Sequence, residues 1–330
     1  MKFVRFNGGR TGLAVADATK IIDVGASLDK VDANIAEAIT AVLPGDGTGS
    51  WTAMIEAWED LRPGFRALER LYETAPDRLA LIKWTDAQLN APLPSLERRI
   101  FALGANTVEH IRSVTAKLPG PGISVEDIYQ PKRNGAAPVG FNVVADSVVG
   151  PNAIITPPEF VKKLDYEAEC AAIVGKTGRN MGLNTPIWGY TAWNDLGMRD
   201  GHLNLLPVSP SFGYSLNLWK NWDGANACGP WVVVDEGFDV NAVQCQLFVN
   251  GEQRQNWNTR DMIYSFAELF DHLSRYFVLK AGDIGVSGTG RGTAIEGEVD
   301  GPQWLKPQDV IEIRLDGIAP LVNTVGTWQL

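Results

Sequence analysis

The sequence predicts an α+β protein in which a small N-terminal α+β domain (residues 1–95) precedes a β-rich domain (residues 96–330). Three observations carry this. From residue 143 onward the text is mostly short apolar runs cut by Gly, Pro and Asn-Gly, the punctuation of strands and turns. Ahead of that, residues 34–43 and 51–75 repeat apolar side chains at three and four, the period of a helix. Between the two regions lies LNAPLPSLER (89–98), a proline-punctuated stretch that reads as a linker. At 330 residues the chain is also longer than one average domain.

Taken in order, KFVRF and GLAVA flank NGGRT, a hairpin signal whose glycines accept positive φ. The helical stretch 51–75 contains Pro63, which is expected to break or kink it. IFALGAN (100–106) reads as a strand ending on glycine, with Asn106 capping a short helix and Glu109 completing a capping box. Residues 117–142 are rich in proline and glycine and read as loop. One helix interrupts the β-rich half, TRDMIYSFAELFDHLSR (259–275), with Met262, Phe266, Leu269 and Leu273 on one stripe.

Composition excludes some function classes. With 39 Asp plus Glu against 29 Lys plus Arg, the formal charge is −10, which repels nucleic acid and anionic membrane. No stretch is long and apolar enough for a bilayer and the start lacks an apolar leader core, so a cytoplasmic protein is expected. Cys170, Cys228 and Cys245 lack metal-ligand spacing and read as packed, reduced thiols.

The informative stretch is KLDYEAECAAIVGK (163–176). Asp165, Glu167 and Glu169 stand two apart at the mouth of an apolar strand, and residues two apart share a face. Carboxylates that close repel and raise one another's pKa. Two readings are open: a hard divalent cation that turns the repulsion into shared attraction, or a solvated acidic face on an edge strand. GYTAWNDLGMRD (189–200) adds Asp195 as a third candidate ligand. In the same segment Arg199 and Asp200 are placed to pair and brace the loop. Lys220, in LWKNWDG, is a cation suited to a substrate carboxylate or enolate, or else a snorkelling surface lysine.

These motifs together resemble the fumarylacetoacetate hydrolase (FAH) family. DYEAEC…IVGK (165–176), NDLGMRD (194–200), WKNWDG (219–224), NGEQRQNWNT (250–259) and AGDIGVSGT (281–289) follow the family's order across roughly residues 100–325. The resemblance implies a mixed β-roll catalytic domain and a homodimer. It implies Mg²⁺ or Mn²⁺, with Ca²⁺ as a further candidate, on Glu167, Glu169 and Asp195. It also implies Lys220 beside the reacting keto-enol group, and a 2-oxo or β-diketo acid as substrate. Hydrolysis of a C–C bond through a metal-stabilised enolate ranks first; decarboxylation, isomerisation, (de)hydration or 2-oxo-acid binding without catalysis are the alternatives.

His110, in GANTVEH, resembles the family histidine that activates water, a role suited to imidazole near neutral pH. Family hydrolases often carry a glutamate three residues later; here that position is Ser113, which puts the hydrolytic dyad in doubt. Substrate binding is assigned to Arg199, His202, Thr289 and Arg291. His202 stands where glutamine is common, and Arg291 lies in an altered closing turn, GTGRGT, suited to a second carboxylate. Trp193, Trp219, Trp222 and Trp257 fall in or beside the motifs and read as pocket lining or as core and interface packing.

Overall fold

The opening hairpin forms as its turn residues dictate in a computed structural model that describes residues 1–15, 18–43, 47–116, 121–200, 212–234, 237–299 and 303–328. Strands Lys2–Phe6 and Arg10–Ala14 pair antiparallel, with Asn7, Gly8 and Gly9 all at positive φ between them. This hairpin does not stand apart. Lys2–Phe6 also pairs antiparallel with Asn226–Val233, in the register Phe3↔Val232.

A single 12-stranded mixed sheet results. Its main path runs Leu81–Lys83, Lys20–Asp23, Arg10–Ala14, Lys2–Phe6, Asn226–Val233, Ile187–Asp195, Ala168–Val174, Ile284–Val286, Ile100–Leu103, Gly140–Val143. A five-stranded sheet of Glu252–Asn258, Gln244–Val249, Val310–Leu315, Leu321–Val325 and Ile154–Ile155 packs against it.

The strand Ala168–Val174 is buried at every position, which explains its run of small apolar residues without polar alternation. Ala168, Cys170, Ala172 and Val174 face a cluster with Cys245, Leu247, Ile311 and Ile313 of the second sheet. Ala171 and Ile173 face the other way, into a cluster with Phe3, Trp51, Phe65, Trp188 and Val232. Both faces of the central strand are therefore sealed, and only its N-terminal end is left for chemistry. All three cysteines are buried and unpaired.

Several local expectations are corrected. The break in 51–75 falls at Ala57, between helices Thr52–Glu56 and Trp58–Thr74, and Pro63 lies inside the second helix. Residues 117–142 are not all loop: Ser124 and Asp127 form a reciprocal capping box that starts the helix Val125–Arg133. The predicted helix 259–275 begins later, at Phe266, because Ser265 and Glu268 make the capping box there; Thr259–Asp261 is a separate 3₁₀ turn. Asn106 does not cap the helix Val108–Thr115, whose N-cap is Thr107. Its amide instead accepts from Tyr264 N and donates to Ser287 O, bridging two loops. No helix among the described residues is long and apolar enough to cross a membrane.

Candidate metal centre and active site

Strand register brings the acids together. Glu169 lies opposite Trp193 in the antiparallel pair of Ala168–Val174 with Ile187–Asp195. Opposed residues share a face, so Asp195, two beyond Trp193, falls diagonally beside Glu169. Glu167 precedes the regular strand, and its backbone is fixed by Asn194 Oδ1, accepting from Glu167 N at 3.2 Å, and by Asp195 N, donating to Glu167 O at 3.0 Å. Glu167, Glu169 and Asp195 are all buried, and one carboxylate oxygen from each lies within 4.8 Å of the others.

Solvation of an acidic edge is therefore not how this chain tolerates the cluster. Two cations do part of that work. Arg199 donates to Asp165 Oδ2 at 2.8 Å and also to Glu167 Oε1. Lys220, the last residue of the helix Phe212–Lys220, lies 2.6 Å from Glu167 Oε2 and 3.0 Å from Asp195 Oδ2. Burial alone would raise Glu167, yet Lys220 and Arg199 outweigh it and hold the carboxyl at about 2. The other two acids are less well served. Burial, with Asp195 and Glu167 close by, pushes Glu169 well above the usual carboxylate range. Burial likewise pushes Asp195 up to about 7, against the pull of Lys220.

Buried acids held short of positive charge are the donor set of a hard divalent cation. Asp195 Oδ1 sharpens the fit, since it is buried without a hydrogen-bond partner and such groups are rare in folded proteins. Glu169 is held from its other side by Gly288 N, which donates to its Oε2 at 2.8 Å. Gly288 takes φ 75°, and a Cβ there would sit 2.8 Å from Asn106 Cβ, so glycine alone fits that cradle.

Two expectations differ from the geometry. Asp165 is not solvated: it is fully buried, bound to Arg199, and accepts from Ala294 N at 2.6 Å. Arg199 does not pair with Asp200, which instead accepts from the backbone N–H of Lys162 and Lys163. Arg199 donates through Nε and one terminal nitrogen to Asp165 and Glu167, which sets its guanidinium against the acid cluster.

Thr289 sits in the turn beside Glu169. Its hydroxyl donates to Ala168 O at 3.0 Å and accepts from Gln255 Nε2 at 2.9 Å, while Thr107 Oγ1 donates to its carbonyl. Arg291, two residues on, is exposed. His202 lies outside the described residues. Trp193, Trp219, Trp222 and Trp257 are all core residues; Trp257 Nε1 donates to Ala168 O at 3.1 Å, tying the second sheet to the acid-bearing strand.

His110 lies on the helix Val108–Thr115. Sequence reasoning missed its partner. His110 Nδ1 hydrogen-bonds to Glu296 Oε1, and Glu296 Oε2 accepts from Gly292 N at 2.6 Å. His110 thus has a carboxylate partner from the 3₁₀ segment Glu296–Val299 rather than from position 113. Gln255 was also passed over: besides binding Thr289, its Oε1 accepts from Ala168 N at 2.8 Å, so one amide joins the closing turn to the acid-bearing strand. Its place in the NGEQRQ motif was the available signal; for Glu296 no motif spacing existed.

Comparison with known proteins agrees with this geometry. The family model "Fumarylacetoacetate (FAA) hydrolase C-terminal" matches residues 99–326. "Oxaloacetate tautomerase fahd2, mitochondrial" of Xenopus laevis is 27% identical over 271 residues, covering 81% of this chain and 77% of that protein. The fumarylacetoacetate hydrolase structure from Exiguobacterium antarcticum superposes with TM-score 0.66 at 26% identity, over 99% of both chains. Maleylpyruvate hydrolase from Sphingobium sp. SYK-6, solved with manganese(II) and pyruvate, has the same fold, with TM-score 0.68 at 22% identity over 100% of both chains. The mixed α+β architecture, the ordered motifs and the family match establish that this chain belongs to the fumarylacetoacetate hydrolase family, a family of enzymes.

Proposed function

We propose that this protein is a divalent-metal-dependent enzyme of 2-oxo acids that hydrolyses a C–C bond in a β-diketo acid. The observation that carries the hydrolytic reading is the part-buried His110–Glu296 pair, which supplies a base for water where Ser113 alone would not. Glu167, Glu169 and Asp195 would hold the metal, Mg²⁺ or Mn²⁺. Such a cation supplies Lewis-acid polarisation of a carbonyl oxygen.

The remaining work falls to side chains. Glu296 accepts from Nδ1–H of His110, which leaves Nε2 as the basic nitrogen. Nε2 takes a proton from water as the water oxygen bonds to the acyl carbon, and Glu296 stabilises the imidazolium that forms. When the C–C bond breaks, its electron pair passes into the enolate of the 2-oxo acid. The ammonium of Lys220 lies beside that developing charge. His110 then returns its proton to the enolate carbon, giving a carboxylic acid and a 2-oxo acid. Arg199 holds Glu167 in place throughout.

A second reading is favoured by the Xenopus relative, named as an oxaloacetate tautomerase. In this reading His110 of this chain would move a proton between carbon and the enol oxygen without admitting water. The two separate in one assay. Chelator-treated protein given Mg²⁺ or Mn²⁺ is incubated with acylpyruvates and with enol oxaloacetate, and products are identified by mass. Pyruvate plus a carboxylic acid supports hydrolysis; interconversion with retained carbon count supports tautomerisation, and CO₂ release supports decarboxylation. A cytoplasmic homodimer, and an N-terminal unit ending near residue 95, complete the proposal; light scattering tests the dimer directly.

A further inference from the structure

We propose that Lys220 is a built-in counter-cation of the carboxylate site, and that it sets the site's metal affinity by competing for Glu167 and Asp195. This rests on the metal reading above and goes beyond the lysine's part in the reaction. An ammonium has three donors, and Lys220 directs its contacts into the acid cluster: Glu167 Oε2 at 2.6 Å, Asp195 O at 2.8 Å and Asp195 Oδ2 at 3.0 Å. Its side chain is only 4% exposed, so water screens none of this.

The oxygens are unequally divided. Glu167 has one carboxylate oxygen on Arg199 and the other on Lys220. Asp195 has Oδ2 on Lys220 and Oδ1 without a partner. Among the described residues Glu169 has no cation on it; its Oε2 takes Gly288 N. A divalent ion reaching all three acids therefore meets the ammonium at two of them. Two cations sharing the same pair of carboxylates in a buried site repel strongly, so Lys220 must withdraw or the metal binds more weakly.

Gly197 shows that the lysine's position is built in. A Cβ there would come within 3.3 Å of Lys220 Cε and Nζ and 3.2 Å of Arg199 Cζ. Its bare backbone lets two like-charged side chains lie together over Glu167. The helix Phe212–Lys220 also ends on this lysine, where the macrodipole favours a cation. The arrangement keeps Glu167 and one oxygen of Asp195 paired when no metal is bound and keeps bound metal exchangeable.

The test uses Lys220→Met and Lys220→Gln, which remove the charge and are one atom shorter. Mn²⁺ affinity of stripped protein is measured by calorimetry. The chelator concentration that unloads Mn²⁺-saturated protein is measured as well, a readout that does not need a stable metal-free variant. Both variants are expected to bind Mn²⁺ at least about tenfold more tightly than wild type, about 1.4 kcal/mol, and to unload at higher chelator. In Lys220→Ala, added methylammonium is expected to weaken Mn²⁺ binding again, whereas tetramethylammonium, too bulky for the gap, leaves it unchanged. Binding by the variants but not by wild type also supports the inference. Equal or weaker Mn²⁺ binding in both variants, with wild type binding normally, overturns it and leaves the metal reading standing. No binding by any of the proteins overturns both.

Discussion

Replacing Glu296 by glutamine tests the catalytic half of the proposal where sequence gave no guidance. Glutamine keeps an oxygen that accepts from Gly292 N, so the turn is retained. It then presents an NH₂ donor to His110 Nδ1, which moves the ring proton to Nε2 and leaves no basic nitrogen for water. Both side chains are sheltered, Glu296 at 4% and His110 at 12% exposure, so solvent does not replace the lost acceptor. A positioned general base contributes about 10²–10⁴-fold, so the expected fall in kcat is of that order, about 3–5 kcal/mol in the barrier. KM should hold, because substrate binding does not pass through this pair. Steady-state kinetics on the substrate found by product analysis measures it. A second variant with Ser113→Glu added places a carboxylate one turn along the helix from His110 and should restore part of kcat. A Glu296→Gln enzyme with wild-type kcat would refute the assignment of the dyad.

Other expectations follow from the same geometry. Glu169→Gln removes the acid with no cation partner, so Mn²⁺ binding should be lost while the metal-free protein melts higher than wild type at pH 8; a lower melting temperature contradicts the repulsion argument. Asp195 is raised to about 7 and Glu169 is raised well above its ordinary value, whereas Glu167 is lowered to about 2. A raised acid contributes stability below its unfolded pKa that is lost as pH rises through the folded value. Metal-free protein should thus weaken as pH climbs through about 7, and Mn²⁺, which needs ionised ligands, should bind better over the same range with proton release seen by calorimetry. The Glu167 contribution has the opposite sign, present above its ordinary range and lost as pH falls toward about 2. Gly292→Ala should disrupt the turn that orients Glu296, since Gly292 takes φ 107° and a Cβ would lie 2.1 Å from Arg254 O; a strong fall in kcat with global melting little changed is the expected signature.

The convergence of Glu167, Glu169 and Asp195 was legible because strand pairing and a local E-x-E spacing translate directly into shared faces, and the family motifs carried the same residues. The opening hairpin was legible for a similar reason: NGGRT states its backbone angles in its residue types. What failed was whatever depends on contacts distant in sequence. Asp165 reads as a third surface acid, yet it binds an arginine 34 residues away and a backbone amide 129 residues away. Glu296 lies 186 residues from His110 in a segment without periodicity. The pairing of the first strand with Asn226–Val233, in the other half of the sequence, left no local signal either. Pro63 does not end its helix, and the interruption at Ala57 carries no glycine or proline signal.

Diffraction from crystals grown with Mn²⁺ and oxalate, collected at the manganese edge, tests the central claim most directly. The account predicts a single strong anomalous peak with one oxygen each from Glu167, Glu169 and Asp195 at about 2.1 Å, a distance suited to a small hard cation, and oxalate completing the shell. It also predicts Lys220 displaced from Asp195 Oδ2. Manganese bound elsewhere, or oxalate bound with no metal among these three carboxylates, would contradict it.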